Sequence, residues 1–185
     1  MAWNWPNVLT WLRVLAIPLL IAVYFLPIDR ASANLWATVL FIVAAITDAL
    51  DGWLARRLGQ TSAFGAFLDP VADKLIVCAA LVMLVQFDRV PAVLAIIIIG
   101  REIAVSALRE WMAELGQRAS VAVNQLGKLK TIAQLVSIPM LLFDGALPII
   151  GATRPLGLWL LVLAAVLTVW SMLYYLRQAW PMLKG

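Results

Sequence analysis

The chain has 185 residues, 64% of them hydrophobic and only 13% charged, with a mean hydropathy of +0.97. A soluble globular domain carries roughly 45–50% apolar residues, so most of this surface is not built for water. The net charge of +4 is expected to set membrane topology and attract anionic headgroups, and nucleic acid is not an expected partner.

The length suits a single domain over 1–185. Cys78 is the one cysteine, so no intrachain disulfide can form. Histidine is absent, which leaves carboxylates, lysines and tyrosines as candidate general bases.

A membrane-crossing helix needs about 20 mostly apolar residues. In chain order, spans are expected near 8–26, 33–54, 70–87, 91–113, 125–143 and 156–178, joined by short connections. The expected fold is therefore an all-α integral membrane protein of six transmembrane helices. Residues 1–6 read as a short interfacial segment, with Trp3 and Trp5 at headgroup level. The first span is not expected to be a cleaved signal, since it carries Arg13 and lacks both a basic leader and a small-residue cleavage site. Six spans put both termini on one side. Arg30, Arg89 and Arg154 fall on the other side, against the remaining eleven of the fourteen basic residues. The positive-inside rule then places both termini in the cytoplasm, as for a multi-pass inner-membrane protein.

Four of the ten acidic residues lie between positions 48 and 73. Asp48 and Asp51 are three apart at the end of the second span. Asp69 and Asp73 are four apart at the start of the third, and both spacings share a helix face. Folding the short connection brings four carboxylates together at the cytoplasmic edge. A lone Asp at a helix centre costs about 2.5–3.5 kcal/mol on insertion. Divalent Mg²⁺ or Mn²⁺, which take hard oxygen ligands, would relieve that cost. Four carboxylates could hold two ions, the geometry that clamps a phosphoryl group. The alternative is structural: Asp69 before Pro70 could cap a helix, with Asp73 in its first turn, and Asp51-Gly52 could be a turn.

The fourth span contains Arg101-Glu102, and Glu102, Ser106 and Arg109 share one face that Arg101 flanks. Arg101 lies about 15 Å along the helix from Pro91. Asn124, Lys128 and Thr131 make a similar stripe at the start of the fifth span, with Lys130 pointing elsewhere and Arg118 between the two stripes. Arg101 and Glu102 could simply neutralise each other, and Lys130 could reach out to lipid headgroups. Taken together, Arg101, Arg109, Arg118 and Lys128 suit an anion site, hence an acceptor that already bears phosphate.

Written out, the acidic segment is Asp48-Ala-Leu-Asp51-Gly52-Trp-Leu-Ala55-Arg56, eight residues, then Gly65-Ala-Phe-Leu-Asp69-Pro-Val-Ala-Asp73. It resembles, at every specified position, the D-x2-D-G-x2-A-R-x8-G-x3-D-x3-D signature of the CDP-alcohol phosphatidyltransferases. The resemblance implies metal ligation by Asp48, Asp51, Asp69 and Asp73, with Asp73 also the catalytic base. It places Asn7, Thr10, Gly52, Ala55, Arg56, Ser62 and Gly65 with the CDP-lipid. It further implies a homodimer whose site opens to the cytoplasmic leaflet, and release of CMP from CDP-diacylglycerol. The stretches 7–13, 101–116 and 127–131 resemble the branch of this family whose acceptor is sn-glycerol 3-phosphate. A branch using inositol phosphate or phosphatidylglycerol is the nearest alternative. A membrane prenyltransferase would lack the Asp-Gly-x-x-Ala-Arg block. A divalent-cation transporter would place its acids at the midplane between repeats.

Overall fold

The computed structural model describes residues 5–58, 63–114 and 125–183, with side chains described for 10–48, 50, 68–108, 110–112, 129–173, 176 and 177. Among the described residues, six α-helices carry the architecture: α1 (Trp5–Ala22), α2 (Arg30–Leu58), α3 (Ala63–Gln86), α4 (Ala92–Glu114), α5 (Gln125–Phe143) and α6 (Thr153–Leu183). A 3₁₀ turn, Val23–Phe25, ends α1. A two-stranded antiparallel hairpin, β1 (Ala146–Leu147) and β2 (Gly151–Ala152), joins α5 to α6 where a plain connection was expected.

Five of the six helices run past their expected bounds in at least one direction. The extension of α3 back to Ala63 carries a chemical consequence, because Asp69 and Pro70 then lie inside the helix. Asp69 is not an N-cap and Pro70 is not a first-turn residue, so the capping explanation for this acid pair is removed. Trp5 and Pro6, expected in an interfacial segment, already belong to α1, and Met1–Asn4 lie outside the described residues.

The surface is apolar. Ile96, Trp170 and Ile103 are 68%, 65% and 62% exposed, a pattern that in water would leave large unpaired hydrophobic area and in lipid is ordinary. Polar groups lie inside instead: Thr10, Arg13, Arg101, Lys130, Ser137 and Ser171 are all buried. Arg30–Asp48 and Thr153–Leu173 are each long and apolar enough to cross a membrane, and Thr10–Phe25 and Leu129–Phe143 are shorter apolar helices. In α3, Asp69, Asp73 and Lys74 lower the apolarity, as do Arg101 and Glu102 in α4.

Helix α5 packs most extensively on α6, while α1 lies against both α2 and α3. Gly157 lets α6 approach α5, because a Cβ there would meet Leu141 Cγ at 3.0 Å and the Ser137 carbonyl oxygen at 3.2 Å. The apolar core joins Leu20, Phe41, Leu81, Leu84, Ile98 and Leu161 across several helices.

One end of the bundle is tied by Arg89. Its Nε faces Asp144 at 3.1 Å, its Nη1 donates to the carbonyls of Leu141 and Leu142 at 3.1 and 2.8 Å, and its Nη2 donates to Asn34 Oδ1 at 2.7 Å. The two carbonyls belong to the last turn of α5, where backbone acceptors lack helical donors. Asp88 and Asp144 follow α3 and α5 with φ of 52° and 45°, the left-handed conformation that commonly ends a helix and that Asp tolerates. Arg30 lies over the Phe87 ring at 4.3 Å, and Arg154 donates to the Asp88 carbonyl. Arg30, Arg89 and Arg154, grouped in sequence only by topology, thus gather at one end. Asp29 starts α2 there by accepting from Ser32 N and Oγ at 2.8 and 2.7 Å, which holds its carboxyl below the ordinary range.

Arg89→Ala would leave Asp144 and two helix-end carbonyls without this donor. Breaking a buried ion pair from one side costs about 3–5 kcal/mol. A clear drop in the detergent melting temperature is expected, only partly recovered by Arg89→Lys, which lacks the guanidinium fork; an unchanged melt would remove Arg89 as the tie.

Candidate active site

Three helices converge opposite the Arg89 end. Thr10 and Arg13, one turn apart on α1, both face inward. The Thr10 hydroxyl donates to Asp69 Oδ1 on α3. Arg13 Nη1 lies 3.0 Å from Asp48 Oδ1 on α2 and 3.9 Å from Asp73 Oδ1 on α3. The Arg13 side chain is 0% exposed, while those of Asp48 and Asp73 are 41% and 48% exposed. A buried guanidinium therefore sits beneath two carboxylates that open toward a cavity. Helix α1 holds α2 and α3 in register from behind.

The cavity measures about 500 Å³. Its polar lining comes from Asp48 of α2, Asp73 and Lys74 of α3, Arg101, Glu102, Ser106 and Glu110 of α4, and Lys130, Thr131 and Gln134 of α5. Arg101 Nη2 donates to Ser171 Oγ of α6 at 3.0 Å, and its Nη1 donates to Glu102 Oε1 at 3.1 Å. Lys130 Nζ donates to the same Glu102 oxygen. The Ser106 hydroxyl bonds back to the Glu102 carbonyl at 2.7 Å and so adds no donor to the cavity in this state. The chamber thus mixes four carboxylates with three cations, Asp48 and Asp73 coming from α2 and α3 and the Arg101–Glu102–Lys130 group from α4 and α5.

The structure brings together Thr10, Asp48, Asp69 and Asp73, and sets Arg101 on the same cavity as Asp48 and Asp73. Thr10 is buried and its hydroxyl meets Asp69. Asn7, Asp51, Gly52, Ala55, Arg56, Gly65, Arg109 and Lys128 lie in helices, but their side chains fall outside the described set; Ser62 and Arg118 lie outside the described residues altogether. Lys130 corrects its expected orientation: it is buried, points into the cavity and meets Glu102, and does not reach toward headgroups. Glu102 likewise does more than neutralise Arg101, since it faces two cations. Arg13 was not singled out for the site. Its signal was visible nonetheless, as an arginine one turn from a threonine in an otherwise apolar run, a position that demands an internal partner.

The donor set can be judged against a divalent cation. Among the described residues no three acidic, histidine or cysteine side chains form a ready metal cage. Asp48 and Asp73 nevertheless share one cation already, offer hard oxygens and border the cavity, which is the chemistry Mg²⁺ or Mn²⁺ requires. Asp51 is three residues from Asp48 on α2. The residues present therefore fit such an ion.

Arg13→Ala would leave Asp48 and Asp73 facing each other without the guanidinium. Because both carboxylates are partly exposed, the expected loss is about 1–3 kcal/mol, less than for a fully buried pair. It is read as a lower detergent melting temperature that added divalent cation partly restores. A melt equal to wild type would show that Arg13 does not support the pair.

The comparisons with known proteins meet this geometry. The family model for CDP-alcohol phosphatidyltransferase matches residues 3–170. The chain is similar to proteins named CDP-diacylglycerol–glycerol-3-phosphate 3-phosphatidyltransferase from several bacteria. It is 48% identical over 184 residues to the one from Escherichia coli (strain K12), covering 97% of this chain and 96% of the relative. It is 49% identical over 184 residues to that of Salmonella choleraesuis, with the same coverage. For Haemophilus influenzae the figure is 46% over 183 residues, covering 97% of this chain and 95% of the relative. With that reach, the chain belongs to the CDP-alcohol phosphatidyltransferase family, membrane-bound enzymes that transfer phosphatidyl groups from CDP-activated lipids and generally depend on divalent metal.

Proposed function

We propose that this enzyme transfers the phosphatidyl group of CDP-diacylglycerol to sn-glycerol 3-phosphate, giving phosphatidylglycerol phosphate and CMP. The observation that carries the reading is one cavity lined both by Asp48 and Asp73, from α2 and α3, and by Arg101 and Lys130, from α4 and α5. Metal-assisted reaction at a diphosphate calls for the carboxylates, and an acceptor that already carries phosphate calls for the cations. The names of the bacterial relatives agree with both.

In this reading Asp73 accepts the proton of the acceptor hydroxyl as its oxygen attacks the lipid-side phosphorus. The bond from that phosphorus to the oxygen bridging to CMP breaks, and CMP leaves with the electron pair. Thr10 acts through Asp69, fixing that carboxylate from behind. Asn7, Gly52, Ala55, Arg56, Ser62 and Gly65 bind the CDP moiety, where small residues allow close approach of the nucleotide. Arg101, Arg109, Arg118 and Lys128 bind the acceptor phosphate. Asp48, Asp51, Asp69 and Asp73 would hold two divalent ions, Mg²⁺ or Mn²⁺, whose charge offsets that of the diphosphate.

The same reading makes 1–185 one membrane domain of six spans, working as a homodimer in the inner membrane. Both termini and the cavity lie on the cytoplasmic side. The basic count, three at the Arg30, Arg89 and Arg154 end against eleven in the rest of the chain, supports this orientation.

CMP release from CDP-diacylglycerol by the purified protein is expected with glycerol 3-phosphate and not with glycerol, inositol phosphate or phosphatidylglycerol; turnover with one of the others alone would replace the acceptor. Asp73→Asn should lower the rate by about 10²–10⁴-fold, while titration still detects CDP-lipid binding. Full activity in that variant would exclude Asp73 as the base. In wild type without substrate, Mg²⁺ or Mn²⁺ should raise the melting temperature and a chelator reverse it, as for any ligand that binds only the folded state. No shift with either ion would count against the carboxylates as their site.

A further inference from the structure

Glu102 of α4 meets a cation on its own helix and another on α5. Arg101 and Lys130 both donate to the same Glu102 oxygen. All three side chains line the cavity. Arg101 is also tied to Ser171 on α6, at 3.0 Å, and keeps that anchor whatever Glu102 does. Lys130 comes from a different helix, at the end of a flexible stem, and meets Glu102 across the gap between α4 and α5. Burial makes such a cation dependent on a nearby anion. A phosphate monoester offers up to two negative charges and three oxygens, and so can compete with a carboxylate for a cation on the cavity.

Building on the phosphorylated-acceptor reading, we propose that Glu102 is a displaceable counter-anion: it holds Arg101 and Lys130 toward the cavity, and releases Lys130 when the acceptor's phosphate arrives. Glu102 then sets how strong an anion must be to enter. A weakly charged or neutral alcohol cannot displace the carboxylate, whereas a phosphate ester can. The residue is a specificity determinant acting through Lys130, and it takes no part in bond making. A purely structural counter-ion would stabilise the bundle with no bearing on acceptor affinity.

The test uses Glu102→Gln in the full-length protein, reconstituted in lipid nanodiscs. The amide keeps an oxygen for Lys130 but removes the competing charge. Three constants are measured: KM for glycerol 3-phosphate, KM for CDP-diacylglycerol, and the inhibition constant of inorganic phosphate. The first and third should each fall roughly fivefold or more, the scale of one interfacial charge contact, with the second unchanged. An unchanged or raised KM for glycerol 3-phosphate alongside an unchanged phosphate inhibition constant would overturn the proposal. If the single variant does not fold, Glu102→Gln with Lys130→Met removes both charges together. It should raise KM for glycerol 3-phosphate about tenfold or more at constant KM for CDP-diacylglycerol, and no rise would overturn the proposal. Should wild type use a different acceptor, the reading of the substrate fails separately, and phosphate inhibition still decides the role of Glu102.

Discussion

A hydrocarbon slab cannot solvate charge, and the helices of this protein are arranged around that fact. Arg13 illustrates it: a guanidinium on the first helix has no exposed surface and lies between carboxylates from the second and third. Neither side is stable there alone. A lone arginine in lipid is costly, and two adjacent aspartates repel. Together they fix three helices with one interaction, and they do so where the carboxylates border an open cavity. What makes the chemistry possible is therefore also what makes the bundle assemble.

The same constraint acts at the other end with a different outcome. Arg89 is engaged by Asp144, Asn34 and the end of α5, and does not line the cavity that Asp48 and Asp73 border. Two buried arginines thus serve opposite ends, one closing the structure and one supporting a reactive face. The difference lies in exposure of the partners. Asp144 is more covered than Asp48 or Asp73, which leaves the latter pair available to other charges.

Much of this was legible from residue order. Same-face spacing of Asp48 with Asp51 and of Asp69 with Asp73 pointed to a shared pocket; Asp48 and Asp73 line one cavity, and Asp69, one turn from Asp73, meets Thr10. The α5 bounds were read from hydropathy alone. Other features were hidden for physical reasons. Hydropathy falls where charge enters, so α3 was expected to begin near Pro70, although helical hydrogen bonding continues back to Ala63. Proline near an acid also imitates a helix start. Lys130 was misjudged because a flexible side chain can lean around its helix, and the pull of Glu102 on α4 is a tertiary fact. The hairpin at 146–152 depends on the Thr153 hydroxyl bonding Gly145, and no period in the sequence encodes that.

Gly157 has a reach out of proportion to its size. It lies near the start of α6, where α5 passes within contact of the place a Cβ would occupy. Ser171, which holds Arg101, is carried by the same helix about 21 Å further along at 1.5 Å per residue. A rigid rod translates a push at one end into a displacement at the other. Bulk added at Gly157 would thus press on α5 through the same helix that carries the Ser171 anchor of Arg101.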